Sequence, residues 1–354
     1  MERRKTRQIS IGPVKVGGDA PISVQSMTKT DTRDIRRTVH QIRCLEEAGC
    51  EIIRVAIVDE EAARAITEIK KRIRIPLIAD IHFHSRLALM AMESGADGLR
   101  INPGNIGGSD RLKPIVTEAR NRSIPIRIGV NAGSLEKDLL KRFGGATPEA
   151  MVSSALRTIE WMEALGFNLI KVSLKASDAM RTVEAYCLFS KKSDYPLHLG
   201  VTEAGKGSGA IVKSSIGMGL LLSEGIGDTL RVSLTGDPVE EVRVAYEILR
   251  ALNIRKRGIE IISCPTCGRC EVDLTRLVEK VERTVKKIAT PLTVAIMGCV
   301  VNGPGEAKEA GIGIAGGKGV GVLFRKGKVI RKLREKDFVL VLLNEIQKMV
   351  KEVK

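Results

Sequence analysis

Residues 51–83, EIIRVAIVDEEAARAITEIKKRIRIPLIADIHF, show the unit from which most of the chain is built. A short β-branched run (51–57) is followed by an amphipathic stretch rich in Ala, Glu and Lys, and then by a second β-branched run (76–83). β-branched runs that alternate with amphipathic stretches are typical of parallel strands joined by helices. This stretch therefore predicts a strand, a helix and the strand that opens the next unit.

The same alternation continues from residue 22 to residue 236. It contains eight strand-like runs, at residues 22–28, 51–57, 76–83, 96–103, 125–131, 169–175, 196–203 and 229–236. Eight βα units predict a TIM barrel first and an open doubly wound sheet second. Residues 7–18 (RQISIGPVKVGG) precede the first run and predict a small hairpin that plugs the lower end of the barrel.

The chain changes character after residue 255. A strand that ends in cysteines is followed by a helical stretch near 272–288, the strand TVAIMGC (293–299), glycine-rich strands and a final helix from about residue 335. The regular alternation is lost, which indicates a separate α+β domain. The predicted fold class is therefore α/β, with a TIM (β/α)8 barrel over residues 1–255 and a smaller α+β domain over residues 256–354.

The composition limits the classes of partner. A formal net charge of +16 on 354 residues is compatible with nucleic-acid binding, but only 3% of the residues are aromatic and the basic residues are spread along the chain. A small polyphosphate substrate or an acidic protein partner accounts for the charge equally well. No apolar run reaches the roughly 18 residues of a membrane span, and the start lacks the apolar stretch of a signal peptide. We therefore expect a cytoplasmic protein with no membrane or nucleic-acid partner.

Cations and neutral polar residues recur at the strand ends, where TIM barrels carry their working residues. The set comprises Arg54, Arg100, Asn102, Arg127, Asn131, Lys171, Ser173, Arg231, Ser233 and Thr235. A buried unpaired cation is unfavourable, so each pairs with a carboxylate such as Asp80 or Glu203, lies in the bottom layers, or faces a bound anion. For five cations together we favour a di- or polyphosphate ligand, because guanidinium groups match phosphate oxygens.

Two further candidates lie at predicted strand ends. The segment ADIHFHS (79–85) brings Asp80, His82 and His84 together, which would suit a metal site in a metallohydrolase or hydrogen bonds to a substrate. Glu203 follows the seventh run and is the best-placed carboxylate for proton transfer, unless it forms a salt bridge with one of the arginines.

Three cysteines recur at two-residue spacing in SCPTCGRC (263–270), and Cys299 leads into VVNGPGEA (300–307). Two thiolates in a C-x2-C turn can bind one metal ion. Four thiols would complete a structural zinc site or hold an iron–sulfur cluster, and the spacing alone does not choose between them.

Taken together, these motifs resemble the 4-hydroxy-3-methylbut-2-enyl diphosphate synthase family of the non-mevalonate isoprenoid pathway. The resemblance runs nearly end to end. It includes VQSMTKTDT (24–32), RINPGNIG (100–107), VTEAGKGSGAIVKSSIG (201–217), ISCPTCGRCEVDL (262–274) and IMGCVVNGPGEAK (296–308). It implies the compact two-domain bacterial form, with a barrel that binds the substrate diphosphate and an α+β domain that carries a cluster.

The resemblance also implies an activity and a cofactor. The enzyme would open and deoxygenate 2-C-methyl-D-erythritol 2,4-cyclodiphosphate with two electrons, giving 4-hydroxy-3-methylbut-2-enyl diphosphate. A 4Fe-4S cluster would be held by Cys264, Cys267, Cys299 and Glu306, whereas Cys270 would not be a ligand. Flavodoxin or ferredoxin would donate the electrons. The protein would be a homodimer in which the cluster domain of one subunit covers the barrel of the other.

The implied roles of the barrel residues follow from the substrate. The diphosphate and the carbon skeleton would be bound by Arg54, Asp80, His82, Arg100, Asn102, Arg127, Asn131, Lys171, Ser173, Arg231 and Ser233. Glu203 would be a candidate acid, and Glu306 the second catalytic carboxylate. Two rival hypotheses remain: a zinc-ribbon protein that binds nucleic acid, and a barrel metallohydrolase that uses His82 and His84.

Overall fold

The computed structural model describes residues 2–82, 84–106, 108–299 and 308–352. The chain divides into two compact units, Met1–Arg255 and Lys256–Lys354. Within the described ranges, no helix is both long enough and apolar enough to cross a membrane.

The N-terminal unit opens with an antiparallel hairpin. Its strands are β1 (Ile9–Ile11) and β2 (Val14–Val16). The apolar side chains of this hairpin pack against Ile52 and Ile78, which lie near the beginning of two barrel strands. The hairpin therefore covers the lower end of the barrel, as predicted.

Eight parallel strands form the barrel. They are β3 (Ser23–Met27), β4 (Ile52–Ala56), β5 (Leu77–Ile81), β6 (Gly98–Ile101), β7 (Ile126–Asn131), β8 (Ile170–Lys175), β9 (His198–Leu199) and β10 (Thr229–Leu230). Neighbouring strands follow the order β8-β7-β6-β5-β4-β3-β10-β9. A parallel bridge between Val172 and Leu197 brings β8 next to β9, so the ring is nearly closed. The predicted TIM barrel is confirmed.

Helices surround the barrel. They are α1 (Ile35–Ala48), α2 (Glu60–Lys70), α3 (Ser85–Glu93), α4 (Pro103–Ile106), α5 (Gly108–Asn121), α6 (Lys137–Phe143), α7 (Pro148–Ala164), α8 (Ala179–Ser190), α9 (Gly207–Ser223) and α10 (Pro238–Ala251). The start of α7 shows why the sequence predicts it: Thr147 accepts a hydrogen bond from the Ala150 amide at 3.2 Å, and Pro148 occupies the first turn.

Three predicted strands are shorter than expected. The fourth run ends at Ile101, because Pro103 begins the short helix α4 rather than continuing the strand. The seventh and eighth runs retain only two residues each in β9 and β10. At Gly200 the chain passes close to the Lys175 side chain and the Arg231 carbonyl, and the regular ladder stops just before this point.

The C-terminal unit is a five-stranded sheet with helices on one face. Its strands, in spatial order, are β11 (Ile259–Ser263), β12 (Leu292–Met297), β13 (Ile312–Gly316), β14 (Val320–Arg325) and β15 (Lys328–Arg334). The first three are parallel and the last two antiparallel. Helices α11 (Leu274–Val285) and α12 (Phe338–Glu352) pack on one face through an apolar core that includes Val281, Ile296 and Leu342. The predicted smaller C-terminal domain is therefore present.

Candidate functional site

The interior of the barrel is polar and mostly cationic. Successive side chains of a strand point to opposite faces, so every second residue of each barrel strand points inward. The inward positions include Arg54, Asp80, Arg100, Arg127, Lys171, Ser173, Lys175, His198 and Arg231. All of these except Arg231 are buried. Two buried carboxylates pair with these cations in the described part of the chain, one from β5 and one from α10. The interior therefore carries excess positive charge.

Asp80 is the carboxylate at the centre of this network. Its oxygens lie 3.7 Å from Arg54 Nε, 3.3 Å from Arg100 Nη1 and 3.5 Å from His82 Nε2. Burial alone would raise the pKa of Asp80, but the charges of Arg54 and Arg100 and the contact with His82 hold this pKa well below its usual range. Burial lowers the pKa of Arg54 to about 10, although Asp80 opposes that shift. Asp80 is therefore ionised at neutral pH.

Replacing Asp80 with Asn is expected to destabilise the barrel by about 3–5 kcal/mol at pH 7, because two buried arginines lose their counter-charge. Since the pKa of Asp80 is depressed in the folded protein, its carboxylate stabilises the fold above the unfolded-state pKa of about 3.9, and this contribution is lost as the pH falls below that value. Urea unfolding between pH 3 and 7 should therefore show a shallower acid dependence in Asp80→Asn.

Asp138→Asn is the matched control. Its carboxylate pairs with Arg157 at 2.7 Å, but the Asp138 side chain is 61% exposed, so little or no loss of stability is expected. Equal losses in the two variants would contradict the assignment of Asp80 as the counter-charge of the interior.

Arg127 and Lys171 occupy a deeper position. Both line a small cavity together with Ile9 and Ile11 of the hairpin, which places them in the lower layers of the barrel. Arg127 Nε and Nη1 and Lys171 Nζ have no hydrogen-bond partner among the described residues. Burial is the largest cause that lowers the pKa of each group well below its ordinary value. Arg127 and Lys171 therefore carry polar atoms inside the barrel that have no hydrogen-bond partner among the described residues.

Two glycines make room for neighbouring cations. A Cβ atom on Gly129 would lie 2.4 Å from Arg100 Nε, and one on Gly200 would lie 2.5 Å from Lys175 Nζ. Since real Cβ atoms do not approach other atoms so closely, any larger residue at either position would displace the cation. The sequence reasoning missed Lys175, although it follows Lys171 and Ser173 on the same inward face of β8. Burial lowers its pKa well below the ordinary value of a lysine.

Glu241, in the first turn of α10, was also missed by the sequence reasoning. Its Oε2 lies 3.4 Å from Arg231 Nη2 and accepts from Ser26 Oγ at 3.1 Å. Its Oε1 lies 3.1 Å from Lys29 Nζ and accepts from the Leu234 amide at 3.1 Å. Two adjacent glutamates, Glu240 and Glu241, stand in the first turn of α10, and the sequence gives no sign that one of them points into the barrel wall.

The remaining polar candidates lie at the strand ends. Asn102 joins two loops: its Nδ2 donates to Ser134 Oγ at 2.7 Å, and its Oδ1 accepts from the Gly104 amide at 3.1 Å. Asn131 has its amide oxygen 3.2 Å from Arg100 Nη2, in the orientation that its partners require. Ser233 is partly buried near the end of β10, and Ser173 makes one long hydrogen bond, of 3.5 Å, to the Ile128 carbonyl.

His82 and Glu203 are the accessible members of the set. The His82 side chain is 42% exposed, with Nε2 3.0 Å from Arg100 Nη1 and Nδ1 3.2 Å from Asn105 Nδ2. Glu203 is exposed, and no ion pair or hydrogen bond is seen for its side chain in the described ranges. Its φ of 53° is unusual for a residue other than glycine. Such backbone strain often marks a functional position.

The cysteines share one end of the C-terminal sheet. Cys264 directly follows β11 and Cys299 lies two residues after β12, and these strands are parallel neighbours. The Gly298 amide lies 3.5 Å from Cys264 Sγ, and a Cβ on Gly298 would lie 2.4 Å from Cys270 Sγ. The sulfurs therefore fill the space that a side chain at Gly298 would need. All of the cysteines are free thiols, and Cys267 is exposed.

The thiols share this region without converging on one point. Within the described ranges, no three His, Cys, Asp or Glu side chains are grouped closely enough to hold a metal ion, and this applies equally to His82 and His84 in the barrel. Glu306 lies outside the described residues. The donor set nevertheless fits an iron–sulfur group chemically, because thiolates are its usual ligands and the Gly298 amide can donate a hydrogen bond to sulfur.

Comparison with known protein families decides the identity of the chain. Residues 6–246 match the GcpE TIM-barrel domain, and residues 260–348 match the GcpE protein C-terminal domain. The chain belongs to the GcpE family.

Full-length relatives agree with this assignment. A protein of Thermodesulfovibrio yellowstonii named 4-hydroxy-3-methylbut-2-en-1-yl diphosphate synthase (flavodoxin) is 60% identical over 348 residues, which cover 98% of this chain and 100% of the relative. A protein of Caldanaerobacter subterraneus with the same name is 60% identical over 350 residues, which cover 99% of each chain. The resemblance drawn from the sequence motifs is thereby confirmed.

The barrel of this GcpE-family chain also resembles solved structures of other enzymes. A dihydropteroate synthase from Stenotrophomonas maltophilia superposes with a TM-score of 0.51 at 13% identity, covering 70% of this chain and 98% of that one. At this identity the similarity concerns the fold alone.

Proposed function

We propose that this GcpE-family protein is a 4-hydroxy-3-methylbut-2-en-1-yl diphosphate synthase that receives electrons from flavodoxin or ferredoxin. The cyclodiphosphate would take up two electrons and two protons. Two C–O bonds would break: the bond between carbon and the ring oxygen of the cyclodiphosphate, and the bond between carbon and the departing hydroxyl group, which would leave as water. The excess of buried cations inside the barrel carries the proposal, since it favours a polyanionic ligand. The names of the relatives support the same reaction.

The unit Met1–Arg255 would bind the substrate. Arg54 and Arg100 share the single charge of Asp80, and Arg231 shares that of Glu241. Lys175, at the end of β8, has no ion pair among the described residues, whereas Arg127 and Lys171 lie deeper, in the lower layers of the barrel. A diphosphate would supply a counter-charge to Lys175, and the guanidinium groups of Arg54, Arg100 and Arg231 could each bind two phosphate oxygens. The polar lining of the substrate site would be completed by Asn102, Asn131, Ser173 and Ser233.

The unit Lys256–Lys354 would carry the cofactor. A 4Fe-4S cluster would be held by Cys264, Cys267, Cys299 and Glu306. When bound, the cluster would supply electrons to the substrate one at a time. Cys270 would remain outside the ligand set. Its thiol donates to the Val272 carbonyl at 3.2 Å and packs with the apolar core of the sheet, which accounts for it without a metal.

Two groups at the strand ends would orient the substrate and move a proton. His82 is held by Asp80, Arg100 and Asn105, so its ring presents a fixed edge to the carbon skeleton. Glu203 is accessible and has no described partner, so it is free to give a proton to the departing oxygen. We further propose that the enzyme is a cytoplasmic homodimer, in which one subunit's cluster domain covers the other's barrel.

Lys175→Met tests the binding half of this proposal. Because burial lowers the pKa of Lys175, binding of the diphosphate should draw a proton onto Nζ. Calorimetry in buffers of different ionisation enthalpy should therefore show proton uptake by the wild type and less uptake by the variant. The variant should also bind the cyclodiphosphate about 10- to 100-fold more weakly, because this is the affinity that one hydrogen bond to a charged group contributes.

Lys192→Met is the matched control, because Lys192 is an exposed lysine just after α8 in the same unit. It should bind as the wild type does. Unchanged affinity and unchanged proton uptake in Lys175→Met would contradict a diphosphate site in the barrel.

A further inference from the structure

Positive charge is concentrated in one segment of the C-terminal unit. Residues 256–354 contain twenty Lys and Arg against eleven Asp and Glu. Residues 318–334 contain seven Lys and Arg and no Asp or Glu. This segment forms β14, β15 and the turn before them, so its charges lie along one edge of the sheet.

Part of this segment forms a patch that we call the basic corner. It consists of Lys318, Val320, Lys332, Arg334 and Lys336, and all five residues are exposed. Arg334 pairs with Asp337 at 3.3 Å, whereas the three lysines have no ion pair among the described residues. Val320 is 54% exposed and lies opposite Arg334 in the β14–β15 ladder. The patch therefore combines one exposed apolar residue with four cations, three of which have no ion pair among the described residues.

The basic corner and the cysteines lie at the same end of the sheet; Cys264 contacts the apolar clusters of both faces, and Cys270 packs with the helix-side core. One register row runs from Met297 through Ala315 and Val322 to Lys332. Met297, Ala315 and Val322 belong to the apolar cluster that Cys264 also contacts, on the face opposite α11 and α12. Three strand spacings separate the two ends of the row, which is about 14 Å. A partner on the corner would thus sit at the end of the sheet that carries the thiols, with Cys264 about 19 Å (four strand spacings) from β15.

We propose that the basic corner is the docking site for an acidic electron-carrier flavoprotein of the flavodoxin type; this rests on the function proposed above. Encounters between redox proteins use small interfaces, and complementary charge raises their association rate. In each encounter the reduced flavin of the carrier loses one electron to the cluster domain. Two encounters supply the two electrons of the reaction, and the two protons come from solvent.

Edge-strand protection is the competing explanation of these charges. Lysines on an exposed edge strand prevent pairing with a second sheet, and Lys332 and Arg334 lie on the edge strand β15. Lys318 and Lys336 do not fit this explanation, because the first lies in the turn before β14 and the second in a 3-10 turn after β15. Docking accounts for all of them together.

A triple charge reversal tests the proposal. The variant Lys318→Glu, Lys332→Glu, Lys336→Glu is compared with Lys280→Glu, Lys287→Glu, Lys351→Glu, which changes the net charge equally at exposed sites of the same unit. Turnover of cluster-loaded protein is measured with reduced flavodoxin and, separately, with dithionite, a small reductant that needs no docking surface. Calorimetry at low ionic strength measures binding of oxidised flavodoxin without turnover.

We expect the corner variant to lose about 10-fold or more in kcat/KM for flavodoxin and in affinity for it, with an unchanged dithionite rate. The control triple should match the wild type in all three measurements. Equal flavodoxin kinetics in the two variants would overturn the docking site, and edge-strand protection would then be the explanation of these charges. An equal loss with dithionite would also overturn it, because the corner would then be a structural or subunit contact. If wild-type protein turns over with neither reductant, the proposed function fails, while the binding measurement still decides the corner.

Discussion

Replacing Cys264 with Ser is expected to lower the rate of cyclodiphosphate reduction by at least about 100-fold with any electron donor. Mutating a residue that only hydrogen-bonds a metal ligand already lowers metal affinity or activity by about 10- to 100-fold, and loss of the ligand itself should lower activity further. Cys264 is the first thiol after β11, and its sulfur lies against the Gly298 amide. A serine hydroxyl is a poor substitute for thiolate as an iron ligand. Iron content, sulfide content and the broad visible absorbance of anaerobically purified protein should fall with the activity, whereas substrate binding should persist.

Cys270→Ser is the matched control for this substitution. It removes a thiol from the same loop, and the hydrogen bond to the Val272 carbonyl can be kept by the serine hydroxyl. Iron and turnover should both be retained. Loss of iron in Cys270→Ser with retention in Cys264→Ser would show that the ligand set has been assigned to the wrong thiol.

Replacing Glu203 with Gln is expected to lower kcat by about 10²–10⁴-fold with little change in KM, because a positioned general acid contributes that much to proton transfer. Gln keeps the size of the side chain and its backbone conformation, but it cannot supply the proton. Single-turnover measurements with dithionite separate this effect from electron delivery, and iron content should match that of the wild type.

Glu224→Gln provides the comparison for Glu203. Glu224 is an exposed carboxylate just after α9 in the same unit, so its removal changes the net charge equally. It should leave kcat unchanged. If Glu203→Gln turns over at the wild-type rate, the departing oxygen receives its proton from another source and Glu203 has no acid role.

The parts of the fold that were predictable have strong local signals. The strands with β-branched runs of five or six ordered residues, such as β7 and β8, lie where the sequence pattern placed them. The start of α7 also carries a local signal, because Thr147 caps the helix and Pro148 occupies its first turn. The short strands β9 and β10 were overestimated, because their ends depend on how Gly200 packs against the Lys175 side chain, a tertiary contact with no local signal.

The candidate site was predictable in kind but incompletely in detail. Alternation along β8 pointed to Lys171 and Ser173 and, continued by one step, would have included Lys175. The pairing of Arg231 with Glu241 joins a strand to the helix that follows it, and no spacing rule distinguishes Glu241 from Glu240. In the cysteine region, spacing alone favoured Cys270, and only the family resemblance named Glu306 in its place.

The most direct test of the account is an electron count on wild-type protein. Anaerobically purified protein is analysed for iron, sulfide and zinc, and then given the cyclodiphosphate and a measured amount of dithionite, with the product identified by mass spectrometry. The account predicts about four irons per chain and a linear diphosphate formed with the consumption of two electrons for each molecule converted. Zinc in place of iron, or conversion that consumes no reductant, would contradict it.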